Sequence, residues 1–108
     1  ISRSTASAES TVLLQMLIHA RSRAMNNEYQ MPHGVYIDAS NFVLFRGDSY
    51  GSAVATELTP RSTQVSATGD SEFVFTQLSG TTSAQSVTLA SGVDTVDIDI
   101  NGAGAIAW

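Results

Sequence analysis

The sequence has no cysteine and no lysine, no long apolar run, and neither glycine nor proline between Ala6 and Met25. Without cysteine there are no disulfides and no thiolate metal sites, and the redox compartment stays open. Without lysine every positive charge is an arginine. Five arginines face ten carboxylates, for a net charge of -5 and a pI of about 4.6. Such a chain is repelled by phosphate backbones and anionic lipid, so nucleic acid is not an expected partner. No stretch approaches the roughly 18 apolar residues of a membrane span, and none reads as a signal peptide. No Asn-x-Ser/Thr glycosylation acceptor occurs either.

What is present is enough for one folded domain over 1–108. A hydrophobic content of 43% in 108 residues supports a core and argues against disorder. The opening segment, from about Ser4 to Asn27, is rich in Leu, Met, Ala, Gln and Arg, which lose little entropy in a helix. Asn26 and Asn27 suit a left-handed cap, and Pro32 with Gly34 forbids continuation. About 24 residues make a rod of roughly 36 Å, long beside the radius of gyration of about 13 Å of a compact domain, so part of it should protrude.

Projected at 100° per residue, Ala6, Leu13, Leu17, Ala20 and Ala24 form one apolar stripe, widened by Met16, while Leu14, Ile18 and Met25 form a second. This arc is too wide for one partner surface, so the second stripe should cover more of its own sheet or a neighbouring molecule. The helix-packing and assembly residues are therefore Leu13, Leu14, Met16, Leu17, Ile18, Ala20, Arg21 and Ala24. Arg21 falls inside the arc, and a carboxylate or a cluster of carbonyls should meet it.

After Gly34 the pattern is β. Val35–Ile37 and Phe42–Phe45 flank the compact loop Asp38–Asn41. A loop over 47–51 precedes a weaker strand near Val54 to Leu58, closed by Pro60. Glu72 to Leu78 puts Phe73 and Phe75 on one face and Val74 on the other; Ser79–Ser83 turns it toward Ser86 to Leu89. Val96–Ile100 alternates strictly, one face aliphatic and the other anionic, and Asn101–Gly104 turns into a last strand, Ala105 to Trp108. The fold class is α+β, a long N-terminal helix packed on antiparallel sheets, with 1–27 as helix and 34–108 as the β-domain.

Several of these pieces carry a resemblance. Ala20-Arg21-Ser22-Arg23-Ala24 resembles the A-R-S-x-A signature of minor pseudopilins of type II secretion systems and their type IV pilus relatives. Gly34–Asp38, Phe73–Phe75 leading into Gly80-Thr81-Thr82, Val87–Leu89, and Val96–Ile100 followed by Asn101–Ile106 fall in the family's order, the last like its closing I-x-V-N-x-x-G-x-I. The resemblance implies a pilin-like fold and a filament subunit without catalysis or cofactor. Its partners would be other pilin-type subunits. It also implies an apolar helical segment of about 20 residues ahead of Ile1, absent from this sequence, that would anchor the subunit in the bacterial inner membrane before assembly. The sheet domain would then stand in the periplasm or on the filament surface. A major pilin shares the same fold. A reading of another class is a sugar- or peptide-binding β-sandwich, with Tyr36, Tyr50 and Trp108 as an aromatic platform.

Three motifs have blander readings beside their chemical ones. Asp97-x-Asp99-x-Asn101-Gly102 matches the first half of a calcium loop, but Trp108 stands where the bidentate Glu belongs; a solvated strand face leading into a turn accounts for the same residues. Gly47-Asp48-Ser49 resembles a hydrolase nucleophile turn, yet neither His19, on the polar side of the helix, nor His33, in a Pro-Gly turn, sits in a motif that supplies the base. Arg46-Gly47-Asp48 reads as the turn out of a strand.

Overall fold

The computed structural model describes residues 5–62, 64–92 and 94–107. A helix, α1 (Thr5–Met25), is followed by a 3-10 turn (Glu28–Gln30) and eight strands: β1 (His33–Ile37), β2 (Asn41–Arg46), β3 (Ala55–Pro60), β4 (Ser66–Gly69), β5 (Glu72–Phe75), β6 (Gln85–Ser91), β7 (Asp94–Ile100) and β8 (Ile106–Ala107). All pairings are antiparallel, in two four-stranded sheets ordered β3-β2-β1-β5 and β4-β6-β7-β8. The α+β class follows.

The helix ends where its chemistry says it should. Asn27 takes the left-handed conformation (φ 56°), and the Ala24 carbonyl accepts the amides of both Asn27 and Leu78, so the helix C-terminus is capped partly by a distant loop. The β1–β2 hairpin closes through the Asp38 amide on the Asn41 carbonyl at 2.8 Å, with Ile37 opposite Phe42. Strand β7 alternates as its sequence does: Ile98 and Ile100 are buried, Asp97 and Asp99 exposed.

α1 lies on both sheets, against β1, β2 and β5 of the first and β6 and β7 of the second. The core between them is Leu13, Leu17, Ala20 and Ala24 from the helix, Val35, Phe42, Phe73 and Phe75 from the first sheet, and Leu89, Ile98 and Ile100 from the second. The alanines allow the helix axis to approach the strands closely. The chain leaves the first sheet after β3, adds β4 to the second, returns for β5 beside β1, and crosses back for β6. These crossings tie the two sheets into one body.

Four expectations need correction. The described helix does not protrude: Ala6 is wholly enclosed and Glu9 and Ser10 are buried. The accessible surface, 5810 Å², is close to the roughly 5,800 Å² of a compact monomer of this mass. The cause is the segment after β3, which folds back over the first turns of α1. There Glu9 Oε1 accepts the Ser62 amide at 2.6 Å, and Arg61, itself buried, donates to the carbonyls of Asp38 at 2.7 Å and Val65 at 3.2 Å. Second, β5 stops at Phe75 rather than Leu78, because 76–81 close a turn, Thr76 amide to Thr81 carbonyl and Gly80 amide to Thr76 carbonyl. Third, β4 is a strand with no counterpart in the sequence reading. Fourth, His33 is not in a turn: it opens β1, buried, with Nε2 donating to the Glu28 carbonyl at 3.0 Å.

Candidate functional site

The helix residues singled out from sequence divide into two groups. Leu13, Leu17, Ala20 and Ala24 have no exposure, Leu14 is buried, and Met16 packs half-buried against the core. Ile18 is 51% exposed and Met25 42%. The second apolar stripe is thus split, with Leu14 covered by the protein's own core and Ile18 and Met25 left uncovered on the outer side of the helix.

Between these two groups runs Arg21, half-buried, and its seat is built from two distant turns. Gly80 and Gly104 both have positive φ, 67° and 86°, and a Cβ on either would crowd the arginine side chain. A Cβ on Gly80 would lie 3.3 Å from Arg21 Cγ and 2.6 Å from Met25 Cγ; one on Gly104 would lie 2.8 Å from Arg21 Nε and would run into the Gly80 carbonyl oxygen. The side chain therefore passes through a slot that only glycine leaves open. The turns are held in place by the Thr82 amide on the Gly102 carbonyl at 3.1 Å, and by Asn101 Oδ1, which accepts the amides of Ala103 and Ala105, each at 3.0 Å.

At the end of the slot the guanidinium is poorly served. Among the described residues its one hydrogen bond goes to the Ala103 carbonyl at 3.5 Å, the outer limit for such a bond, and Nε is enclosed without a partner. The arginine does meet a carbonyl, as expected, but it has no carboxylate partner among the described residues. Around it lies a groove of about 380 Å³ whose lining mixes apolar groups, Ile18, Met25 and Ile106, with the polar Ser22 and Asn26. One wall is the uncovered helix face. The other is β8, the edge strand of its sheet.

Sequence reasoning anticipated Ile18 and Arg21 but not Gly80, Gly104 or Ile106 as their neighbours. The turns containing these glycines were recognisable; their convergence on one helical side chain was not. Also unforeseen was Glu9, whose position on the wheel borders the buried stripe, and its neighbour Arg61, with Nε 4.0 Å from Glu9 Oε2.

The remaining candidates lie elsewhere. Asp97 and Asp99 share the exposed face of β7, where Asp97 Oδ1 accepts the Thr88 hydroxyl at 2.6 Å. Asn101, the third oxygen of the calcium pattern, already holds its two amides. No group of three or more potential metal ligands occurs among the described residues. Tyr36 and Tyr50 stack on each other, centroids 4.2 Å apart and planes 2° apart, with Phe45 edge-on to Tyr50 at 6.1 Å, so each ring covers one face of the other; Trp108 lies outside the described residues. Ser49 bonds the Ser52 hydroxyl at 2.8 Å, whereas His19 accepts from Arg23 Nε at 3.1 Å. A second hollow of about 200 Å³ beside the 3-10 turn is lined with charges that largely pair off: Arg23 with Glu57 at 2.8 Å, and Arg46 over the Tyr29 ring at 3.7 Å. No helix among the described residues is long and apolar enough to cross a membrane.

Compared with protein-family models, curated proteins and solved structures, the chain matches none of them.

Proposed function

We propose that this chain is the sheet-bearing outer domain of a pilin-type filament subunit, a minor pseudopilin of a type II secretion pseudopilus or type IV pilus. The observation that carries this reading is the meeting of three separated motifs at one point: Arg21 of the A-R-S-x-A segment, Gly80 of the Gly-Thr-Thr turn and Gly104 of the closing N-x-x-G turn. Motifs matched by chance have no reason to share a contact. The α+β architecture agrees with it, since α1 is laid across both sheets and locked at each end, so a force or displacement on the helix is carried into the whole domain.

In this role the protein does no chemistry. An apolar helical segment ahead of Ile1 would hold the subunit in the bacterial inner membrane, then leave it to enter a helical, heterologous packing of subunits. The β-domain would face the periplasm or the filament surface, presenting carboxylates such as Asp97 and Asp99 to solvent. Its partners would be neighbouring pilin-type subunits, met in part through the uncovered side of α1.

The test is the reading frame upstream of the Ile1 codon in the native gene. A prepilin-type cleavage site, a glutamate a few residues on, and about 20 apolar residues running in frame into Ile1 are expected. An ordinary cleaved secretion signal, or a start codon at Ile1, would sink the filament reading.

A further inference from the structure

The groove between α1 and β8 combines three properties. Its walls carry apolar side chains, Ile18 and Met25 on the helix and half-buried Ile106 on the strand, with Ser22 and Asn26 as the polar groups between and beyond them. One wall is a sheet edge, and β8 pairs with β7 on one side only. At its base is a guanidinium that is constrained by two glycines, has no carboxylate partner among the described residues, and keeps one long bond to Ala103. Arginine offers five donors, and a charged group kept partly out of water beside apolar side chains is stabilised by an opposite charge with bidentate geometry. The sequence carries twice as many acidic side chains as arginines, ten against five, yet none among the described residues pairs with this one.

We infer that this groove is a docking site for an extended segment of another protein that places a carboxylate, flanked by apolar side chains, onto Arg21. An added strand along β8 supplies backbone hydrogen bonds to the open edge, while alternate side chains, about 6.6–7 Å apart, point to one side. A pattern apolar-x-acidic-x-apolar therefore turns two apolar groups and the carboxylate between them to one side, toward a groove that offers Ile18, Met25 and Ile106 for the first and Arg21 for the second. A second copy of this chain is the less suitable occupant, because the alternating acidic residues of β7 lie on a strand already paired on both sides. The groove would take such a segment whether or not the chain builds a filament, so the upstream reading frame and the docking experiment can fail separately.

The experiment is a titration of the 108-residue chain with the synthetic peptide acetyl-Ile-Thr-Glu-Thr-Ile-amide, followed by methyl and arginine-side-chain NMR. Two further peptides carry Gln or Lys at the centre. Expected are shifts at the Ile18, Met25 and Ile106 methyls and at Arg21 Nε–H, with the Glu peptide binding about fivefold more tightly than the Gln peptide and the Lys peptide weakest. In Arg21→Met the Glu-over-Gln preference should vanish while the methyl shifts persist. Ile18→Ser, at an exposed position, should weaken all three peptides alike. Equal affinity for Glu, Gln and Lys peptides would overturn the charge recognition. Absence of shifts at millimolar peptide would overturn the docking site. Movement of the same methyls on dilution of the protein alone would overturn the choice of occupant in favour of a second copy.

Discussion

Replacing Gly104 by alanine should be among the most damaging single-methyl changes available in this protein, and a series of glycines allows the reason to be isolated. Gly92 has φ 62° and open space where a Cβ would go, so Gly92→Ala reports only the backbone penalty of a left-handed residue, about 1–2 kcal/mol. Gly80, at φ 67°, adds a contact, but chiefly with Met25, a side chain with three rotatable bonds that is 42% exposed and can swing away. Gly104, at φ 86°, adds two contacts that cannot yield cheaply: the Gly80 carbonyl, fixed in its turn, and Arg21 Nε, enclosed in the slot. Overpacking of this kind costs about 1–3 kcal/mol beyond the backbone term, for a total of about 2–5 kcal/mol. At this chain length 1 kcal/mol corresponds to a shift in Tm of about 4–5 °C. Thermal melts should therefore fall by about 4–10 °C for Gly92→Ala, slightly more for Gly80→Ala, and about 8–25 °C for Gly104→Ala. Adding Arg21→Ala to Gly104→Ala should recover part of the loss, since it removes one of the two obstacles, and a double-mutant cycle reads that coupling directly. If Gly104→Ala melts within about 2 °C of Gly92→Ala, the slot is not closed as described and the account of Arg21 fails with it.

Arg61→Ala removes both carbonyl bonds and leaves buried Glu9 facing empty space; urea denaturation should give a loss of about 2–4 kcal/mol, and Arg61→Lys should restore little of it because an ammonium cannot reproduce the two-carbonyl fork. Leu17→Ala should cost about 2–5 kcal/mol by the same measurement, whereas Ile18→Ala one position on, at 51% exposure, should cost under about 1 kcal/mol. Arg21→Met should be nearly neutral in thermal melts, with Arg21→Ala destabilising by about 1–2 kcal/mol through lost packing of the stem against Gly80; equal and negligible effects would mean that the stem is not packed at all.

The elements legible in the sequence are those whose cause is local. The buried helix stripe, the Asp38–Asn41 hairpin, the left-handed Asn27 and the alternation of Val96–Ile100 each follow from spacing or turn chemistry within a dozen residues, and the structure has all of them. Strand β4 has no such signature. Ser-Ala-Thr-Gly lacks alternating apolar residues and ends in glycine, and its pairing with β6 places Thr68 opposite Thr88 and Gly69 opposite Val87. There the strand state is imposed by a partner twenty residues away, and Gly69 suits it because a Cβ would press on the Ser86 carbonyl. The protruding rod failed for the same reason: helical periodicity cannot register that a loop 53 residues on returns to place Arg61 and Ser62 against Glu9.

The site divides along the same line. That an arginine inside an apolar arc must be served by something is a local statement, and it directed attention to Arg21. What serves it depends on how two glycine turns from opposite parts of the β-domain close around one helix. The result is a guanidinium whose stem is well packed and whose head is not. Had stability alone been at stake, a methionine would fill the slot without the desolvation penalty of a half-buried cation. An arginine seated there between two positive-φ glycines, with one long hydrogen bond among the described residues and a partly apolar groove beside it, is better understood as a charge kept in position for a group that the described residues do not supply.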